Sequence, residues 1–163
     1  ILEGPVFGAG LQLALGADIR ISDPTAEFSI METKWGLIPD MGITQTLPKL
    51  MNYDQALLST LTSTLINAKK ACKLGLITIC TENPYQKGTE LAEKFGSKSP
   101  DALRAAKTLY REAWKEANAD NLQLEASLQT QLIGSSNQME AVFANMEKRR
   151  PNFSKHSLSD TKS

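Results

Sequence analysis

The stretch "GPVFGAGLQLALGADIRIS", residues 4–22, sets Gly4, Gly8 and Gly10 directly before an apolar run that suits a helix. Glycine loses more backbone freedom on folding than any other residue, so such a cluster indicates a sharp bend or a close approach of the backbone. Exposed N–H groups at the start of a helix, together with the positive end of its dipole, suit a developing oxyanion. The alternative is that the glycines only let a helix pack against a strand.

Dinucleotide-binding folds also begin with a strand, a Gly-x-Gly pair and a helix. Their motif places a third glycine three residues after the second, and at that distance from Gly10 this chain has Leu13. The spacing therefore argues against a dinucleotide site.

The pattern of apolar and polar residues along the whole chain predicts an α/β protein in which short strands come first and helices follow. "DIRIS" (18–22) and "AEFSI" (26–30) alternate apolar and polar residues as strands do. After about residue 53 the apolar residues recur at helical spacing. The predicted regions are a core of 1–52, a helical region of 53–150 with helices at 99–117, 120–132 and 137–150, and a flexible tail of 151–163.

Composition limits the partners and the types of catalytic residue that we expect for the chain. Its 163 residues suffice for one domain, and 18 basic residues balance 18 acidic ones, so neither nucleic acid nor a membrane is an expected partner. No apolar run reaches the roughly 20 residues that span a bilayer, and we expect a cytoplasmic location. His156, the sole histidine, lies in a polar tail, and Cys72 and Cys80 form no CxxC pair. A histidine-based zinc site or triad is disfavoured, which leaves carboxylates, amides and backbone groups for catalysis.

Two segments together carry a specific signature, "GAGLQLALGADIRIS" (8–22) and "AEFSIMETKWGLIPDMGITQTLPKL" (26–50). They resemble the crotonase (enoyl-CoA hydratase/isomerase) superfamily, whose pattern runs G-G-G-x-E-L-A-L-A-x-D-I-R-I and then A-x-F-x-x-P-E-x-x-x-G-L-I-P-x-x-G. The match continues loosely through "INAKKACKLGLIT" (66–78) and returns at "EKRRPNF" (147–153). The resemblance implies a partial spiral of ββα units followed by a C-terminal helical trimerisation region, hence a homotrimer or a dimer of trimers.

The same resemblance implies acyl-CoA thioesters as substrates, with coenzyme A as part of the substrate and no separate cofactor or metal. It implies that the backbone N–H of Ala9 is one of two donors to the thioester oxygen, with Gly8 and Gly10 beside the substrate. The other donor belongs to an earlier part of the family pattern, which this chain does not contain. We therefore expect a portion of a longer domain that, by itself, is inactive and prone to associate.

Three polar positions bear on the reaction. Family hydratases handle water with two glutamates, and the resemblance puts Gln12 at the first position and Glu32 at the second. Because an amide cannot act as a base, Gln12 is expected to bind near the acyl chain, and two-glutamate hydration is in doubt. Isomerases of the family, including dienoyl-CoA isomerases, resemble the combination of Glu32 with Asp40. The alternative for Asp40 is to cap a helix near Ile43 or to form a Pro-Asp turn.

The remaining predicted binding residues are Trp35, Leu37 and Pro39, which accompany the two carboxylates, and the basic pair Lys148 and Arg149 near the C-terminus. Family residues that match the basic pair lie near the CoA of a neighbouring subunit, whereas a charge run without that context is usually a solvated surface.

The resemblance and the residues predict an acyl-CoA enzyme that isomerises or hydrates an enoyl-CoA through an oxyanion-stabilised enolate. The second hypothesis is a catalytically silent fragment, or an assembly or binding protein, that keeps the crotonase fold.

Overall fold

Short strands and short helices alternate along the residues that the structure describes. The computed structural model describes residues 1–96, 103, 105–107, 110–111, 126–127, 129–130 and 132–153. The strands are β1 (Pro5–Phe7), β2 (Ile21–Ser22), β3 (Glu27–Ser29), β4 (Ile66–Asn67) and β5 (Ile79–Cys80). The helices are α1 (Ala9–Leu15), α2 (Ile43–Thr46), α3 (Tyr53–Thr62), α4 (Ala68–Leu74), α5 (Pro84–Gly96) and α6 (Ser136–Met146), with 3₁₀ helices at Glu32–Trp35 and Leu47–Lys49.

The strands form two small sheets. In the first, β1 runs parallel to β3, with Val6 beside Phe28, and β3 runs antiparallel to β4, with Phe28 beside Ile66. In the second, β2 runs parallel to β5, with Ile21 beside Ile79. Parallel neighbours need a crossover connection, and α1 lies in the one that joins β1 to β3. The predicted α/β class is confirmed.

The region from residue 53 onward is not wholly helical, which corrects the expected division of the chain. Strands β4 and β5 lie inside the predicted helical region and pair with strands of the predicted core. Each is two residues long, too short to show the alternation of apolar and polar residues by which a strand is recognised.

The hydrophobic core lies where the three-stranded sheet meets α1, α2 and α4. Phe28 and Ile66, paired across β3 and β4, are 0% and 1% exposed. Leu11 and Leu15 reach this core from one face of α1, since residues four apart share a helix face. The other buried members are Val6, Ala26, Ile30, Ile43, Leu47, Met51, Ala68, Ala71, Leu76 and Ile77. The apolar run after Gly10 is therefore a helix that buries one face.

The buried side chain of Arg20, 5% exposed, joins the end of α1 to the segment before β5. Its Nε donates to the carbonyl of Leu76 and its Nη1 to that of Ala17, both at 2.6 Å. Burial lowers the pKa of this guanidinium, because desolvation disfavours the charged form. The arginine of "DIRIS" thus satisfies two carbonyl groups, and strand β2 covers only Ile21–Ser22 of that stretch.

Helix α6 begins earlier than the sequence predicts. Ser135 is its N-cap, and the Oγ of Ser135 accepts a hydrogen bond of 3.3 Å from the backbone N–H of Gln138. Serine suits this position because its hydroxyl satisfies a helix N–H that has no carbonyl partner. The predicted helices at 99–117 and 120–132 fall largely outside the described residues, as does the tail after residue 153. No helix in the described part of the chain is long and apolar enough to cross a membrane.

Candidate active site

The turn between β1 and α1 depends on Gly8. Its backbone has φ 51° and ψ −124°, a conformation that side chains rarely permit. The N–H of Gly8 donates to the carbonyl of Ser29 at 3.0 Å, and its own carbonyl accepts from the N–H of Gln12 at 3.0 Å. The N–H of Ala9, next in the chain, is the first of the helix and has no carbonyl partner within it. The turn therefore presents a backbone donor at the point where the sequence predicts one.

Replacing Gly8 by alanine is expected to destabilise the natural full-length protein by about 1–3 kcal/mol, because alanine would be held at a strained backbone conformation. Chemical denaturation of the purified variant measures this change. Gly10→Ala is the matched control, since a Cβ at Gly10 meets nothing within 4 Å. Alanine is the better helix former by about 1 kcal/mol, so the control should not lose stability. Equal destabilisation by both changes would contradict the strained turn.

Glu32 opens the 3₁₀ helix Glu32–Trp35, which follows β3 and which we call the Glu32 turn. Its carbonyl accepts a hydrogen bond of 3.1 Å from the N–H of Leu37, which closes the turn. Helix α6 packs against this turn, and the Nδ2 of Asn145 donates to the carbonyl of Lys34 at 2.6 Å. The Glu32 turn is thus held by a helix more than a hundred residues further along the chain.

Helix α3 is a second element that holds the Glu32 turn, through residues at its C-terminal end. Ser63, which ends α3 in a left-handed conformation with φ 49°, accepts through its Oγ a hydrogen bond of 3.1 Å from the N–H of Lys34. The Oγ1 of Thr33 lies 2.7 Å from that Oγ and donates to the carbonyl of Thr60. Two separate elements therefore fix the backbone that carries Glu32.

A pocket of about 390 Å³ opens between the Gly8 turn and the Glu32 turn. Its lining includes the predicted site residues Gly8, Ala9, Gln12, Glu32, Trp35, Leu37 and Asp40, together with Phe7, Met31, Met41 and Gln129. Both predicted carboxylates and the predicted backbone donor thus share one mostly apolar pocket.

The side chains of Gln12 and Glu32 contact each other inside this pocket. Gln12 is 4% exposed, and its Nε2 donates to the Oε1 of Glu32 at 2.5 Å. The Oε1 of Gln12 accepts from the N–H of Met41 at 2.8 Å. The Oε2 of Glu32 is buried and has no hydrogen-bond partner among the described residues. A buried polar atom without a partner is unfavourable, so it marks a position that a ligand or water would satisfy.

Asp40 lines the pocket one residue before Met41, whose N–H is bound by Gln12. Helix α2 begins after Gly42 and has no side-chain cap. The structure therefore does not show the alternative in which Asp40 caps this helix.

Four predicted binding residues lie outside the pocket lining: Gly10, Pro39, Lys148 and Arg149. Arg149 follows α6, where it donates to Glu140 at 2.5 and 2.8 Å and to Glu147 at 2.6 Å. Hydrogen bonds from Arg149 lower the pKa of Glu140 to about 2. The charge of Arg149 is therefore balanced by two carboxylates of the same chain, and a place beside the CoA of a neighbouring subunit stays a prediction.

Sequence reasoning missed one polar residue of the pocket, Gln129. Its Oε1 accepts a hydrogen bond of 3.4 Å from the N–H of Ile38, across 91 residues of chain. Nothing local marks it, because it stands within an ordinary helical pattern. Met31 did carry a signal, since it occupies the position where the family pattern has proline.

Comparison with known proteins identifies the family of the chain. The sequence matches the family described as enoyl-CoA hydratase/isomerase over residues 1–156. The chain belongs to this family. The structure is similar to a crystal structure of an enoyl-CoA hydratase from Mycobacterium avium, with a TM-score of 0.85 and 28% identity, over 94% of this chain and 61% of that one. The crotonase resemblance is thereby confirmed.

Curated enoyl-CoA hydratase/isomerase relatives carry names of both reaction types. A probable mitochondrial enoyl-CoA hydratase 2 of Arabidopsis thaliana is 32% identical over 152 residues, which are 92% of this chain and 50% of the relative. A peroxisomal Delta(3,5)-Delta(2,4)-dienoyl-CoA isomerase of the same plant is 31% identical over 157 residues, 94% of this chain and 56% of the relative. The chain thus spans about half the length of these relatives.

Proposed function

We propose that the protein moves a carbon–carbon double bond within an acyl-CoA thioester, with Glu32 transferring the proton. The observation that carries this proposal is the buried, unpartnered Oε2 of Glu32, a residue that lines the pocket together with Ala9 and Asp40. Family membership supports the substrate class, and the amide at position 12 supports isomerisation over hydration.

The chemistry requires one donor and one base. A thioester oxygen bound by the N–H of Ala9 takes up negative charge when the neighbouring α C–H bond breaks. Glu32 accepts that proton, and the electron pair passes into the enolate conjugated with the existing double bond. Return of the proton to the γ carbon restores the thioester carbonyl and leaves the double bond one position along. No water is consumed, and the carboxylate ends in its starting state.

Hydration makes a different demand, because a water molecule must be activated on one side and a carbon protonated on the other. Gln12 can do neither as an amide. Asp40 is the other carboxylate in the pocket lining. We assign Asp40 the transfer of a proton at a second carbon of the substrate. This role suits a dienoyl thioester, because the two ends of its conjugated system are further apart.

The test is a comparison of substrates on the natural full-length protein. Purified protein is incubated with 3-enoyl-CoA, 3,5-dienoyl-CoA and 2-enoyl-CoA, and the products are separated by chromatography. We expect turnover of at least one of the first two by isomerisation, with slower hydration of the third. Hydration as the fastest reaction, or no turnover and no acyl-CoA binding by calorimetry, would refute the proposal. Binding without turnover would instead favour the silent protein that the sequence left as an alternative.

We also propose self-association into a trimer or a dimer of trimers. Support comes from exposed leucines on α3, namely Leu57, Leu58 and Leu61, and from Phe143 and Met146 on α6. Apolar groups of this size at a protein surface mark interaction sites when they are contiguous. Sedimentation of the full-length protein measures the assembly, and a monomer would contradict it.

We also propose a cytoplasmic location. Relatives carry mitochondrial and peroxisomal names, so imaging of a tagged full-length protein is the test that distinguishes these compartments.

A further inference from the structure

Gln12 uses both ends of its side-chain amide within the pocket. One end, Nε2, donates to the Oε1 of Glu32, and the other, Oε1, accepts from the N–H of Met41. At 4% exposure the amide is withdrawn from solvent. Helix α1 is thereby tied to the Glu32 turn and to the loop that carries Asp40.

The backbone N–H of Met41 decides which way the amide points. A backbone N–H is a donor only, so it must face the oxygen of Gln12, and the NH₂ group is then directed at Glu32. That group needs an acceptor, and an ionised carboxylate is the better one because hydrogen bonds to charged acceptors are stronger. A glutamate at position 12 could still accept from Met41, but it could not donate to Glu32 unless it was protonated.

We infer that Gln12 is a positioning residue that occupies the Oε1 of Glu32 and leaves Oε2 as the one oxygen of this carboxylate that moves the proton. The inference rests on the proposed function, and it restricts the substrate. One fixed oxygen must reach both the carbon that loses the proton and the carbon that gains it, so both lie on the same face of an enoyl thioester. Because Oε2 is shielded from solvent, the proton is passed from one carbon to the other with little exchange.

Two variants of the full-length protein distinguish the contributions of the two hydrogen bonds that Gln12 makes, to Glu32 and to Met41. Gln12→Glu keeps an acceptor for Met41 and loses the donor to Glu32, whereas Gln12→Met has similar length and loses both. Gln86→Met is the matched control, because Gln86 also donates to a glutamate, at 3.2 Å, but on the exposed surface of α5. Circular dichroism and the denaturation midpoint identify any variant that fails to fold.

Steady-state kinetics with the best enoyl-CoA substrate provide the first readout. Both Gln12 variants should lower kcat by at least ~10-fold with KM changed by less than about 3-fold, since a lost charge-assisted hydrogen bond acts on the reacting carboxylate rather than on binding. The control should match the wild type. A Gln12→Glu variant with wild-type kcat would overturn the inference, because only the contact with Met41 would then matter.

A deuterium label at the α carbon provides the second readout. The wild type should carry label into the γ position of the product, and Gln12→Met should lose more of it to solvent, since Oε2 is then no longer held in place. Equal label transfer in both proteins would also overturn the inference.

A measurement without substrate separates the two proposals. The side-chain amide signals of Gln12 in the NMR spectrum, assigned by their loss in Gln12→Met, should shift when Glu32 is replaced by glutamine. An inactive wild type that shows this shift would refute the proposed function and leave the contact intact. An active wild type without the shift would refute the positioning role alone.

Discussion

Replacing Glu32 by glutamine should lower the kcat of the full-length protein by at least ~10²-fold, because proton transfer by a positioned side chain contributes about 10²–10⁴-fold. The substitution keeps the shape of the side chain. Its amide oxygen can still accept from the Nε2 of Gln12, and the anchors of the Glu32 turn at Thr33, Lys34 and Leu37 are unchanged. Stability should therefore stay near that of the wild type while turnover is lost. Initial rates of double-bond isomerisation measure the effect.

Glu27→Gln is the control for this change. Glu27 is exposed at the start of β3, five residues before Glu32, and the substitution removes the same charge. It should leave both kcat and KM unaltered. If Glu32→Gln kept more than about a tenth of the wild-type kcat, general acid–base catalysis by this carboxylate would be ruled out.

Replacing Gly75 by alanine should lower the free energy of unfolding by more than about 4 kcal/mol, a larger loss than is expected for Gly8→Ala. Gly75 ends α4 with φ 86°, and a Cβ placed there would lie 2.0 Å from the carbonyl oxygen of Leu50. A backbone atom cannot move aside as a side chain can, so the two segments must separate. The neighbours Leu76 and Ile77 belong to the core and would be displaced with it. Soluble yield and urea denaturation report the outcome.

The control for Gly75→Ala lies at the end of α5. A Cβ at Gly96 meets nothing within 4 Å, so Gly96→Ala should change the free energy of unfolding by less than about 1 kcal/mol. A Gly75→Ala protein with a wild-type denaturation midpoint would show that Leu50 does not approach the chain as closely as described.

The elements that the sequence predicts best are those marked by local chemistry. The Gly8 turn, the helix after Gly10 and strand β3 all follow from residues adjacent in the chain. β4 and β5 were missed because each pairs through two residues only, and its partner lies more than 30 residues away. Such pairing depends on tertiary contacts, and no local pattern reports it.

The residues of the candidate site fall into the same two groups, those that the sequence predicts and those that depend on tertiary contacts. The resemblance to the crotonase pattern was enough to propose Glu32, Asp40 and Ala9 together, and all three line the pocket. The sequence did not indicate that Gln12 would bind Glu32 rather than substrate, because a hydrogen bond between residues 20 apart depends on how two turns face each other. The ion pairs of Arg149 with Glu140 and Glu147 were likewise not indicated by the sequence, because they depend on how the chain turns after α6.

The contact between Asn145 and the carbonyl of Lys34 has a consequence for how the protein is made. The two residues are 111 positions apart, so the Glu32 turn leaves the ribosome long before α6 exists to hold it. At about 5–20 residues per second, that interval is roughly 5 to 20 s. During it, α1 and α3 are already present to hold the segment that carries Glu32, whereas the contact from α6 is missing. Completion of the pocket is thus a late event of synthesis, and a pause or truncation before α6 would yield a chain with its core formed and the Glu32 turn without its contact to α6.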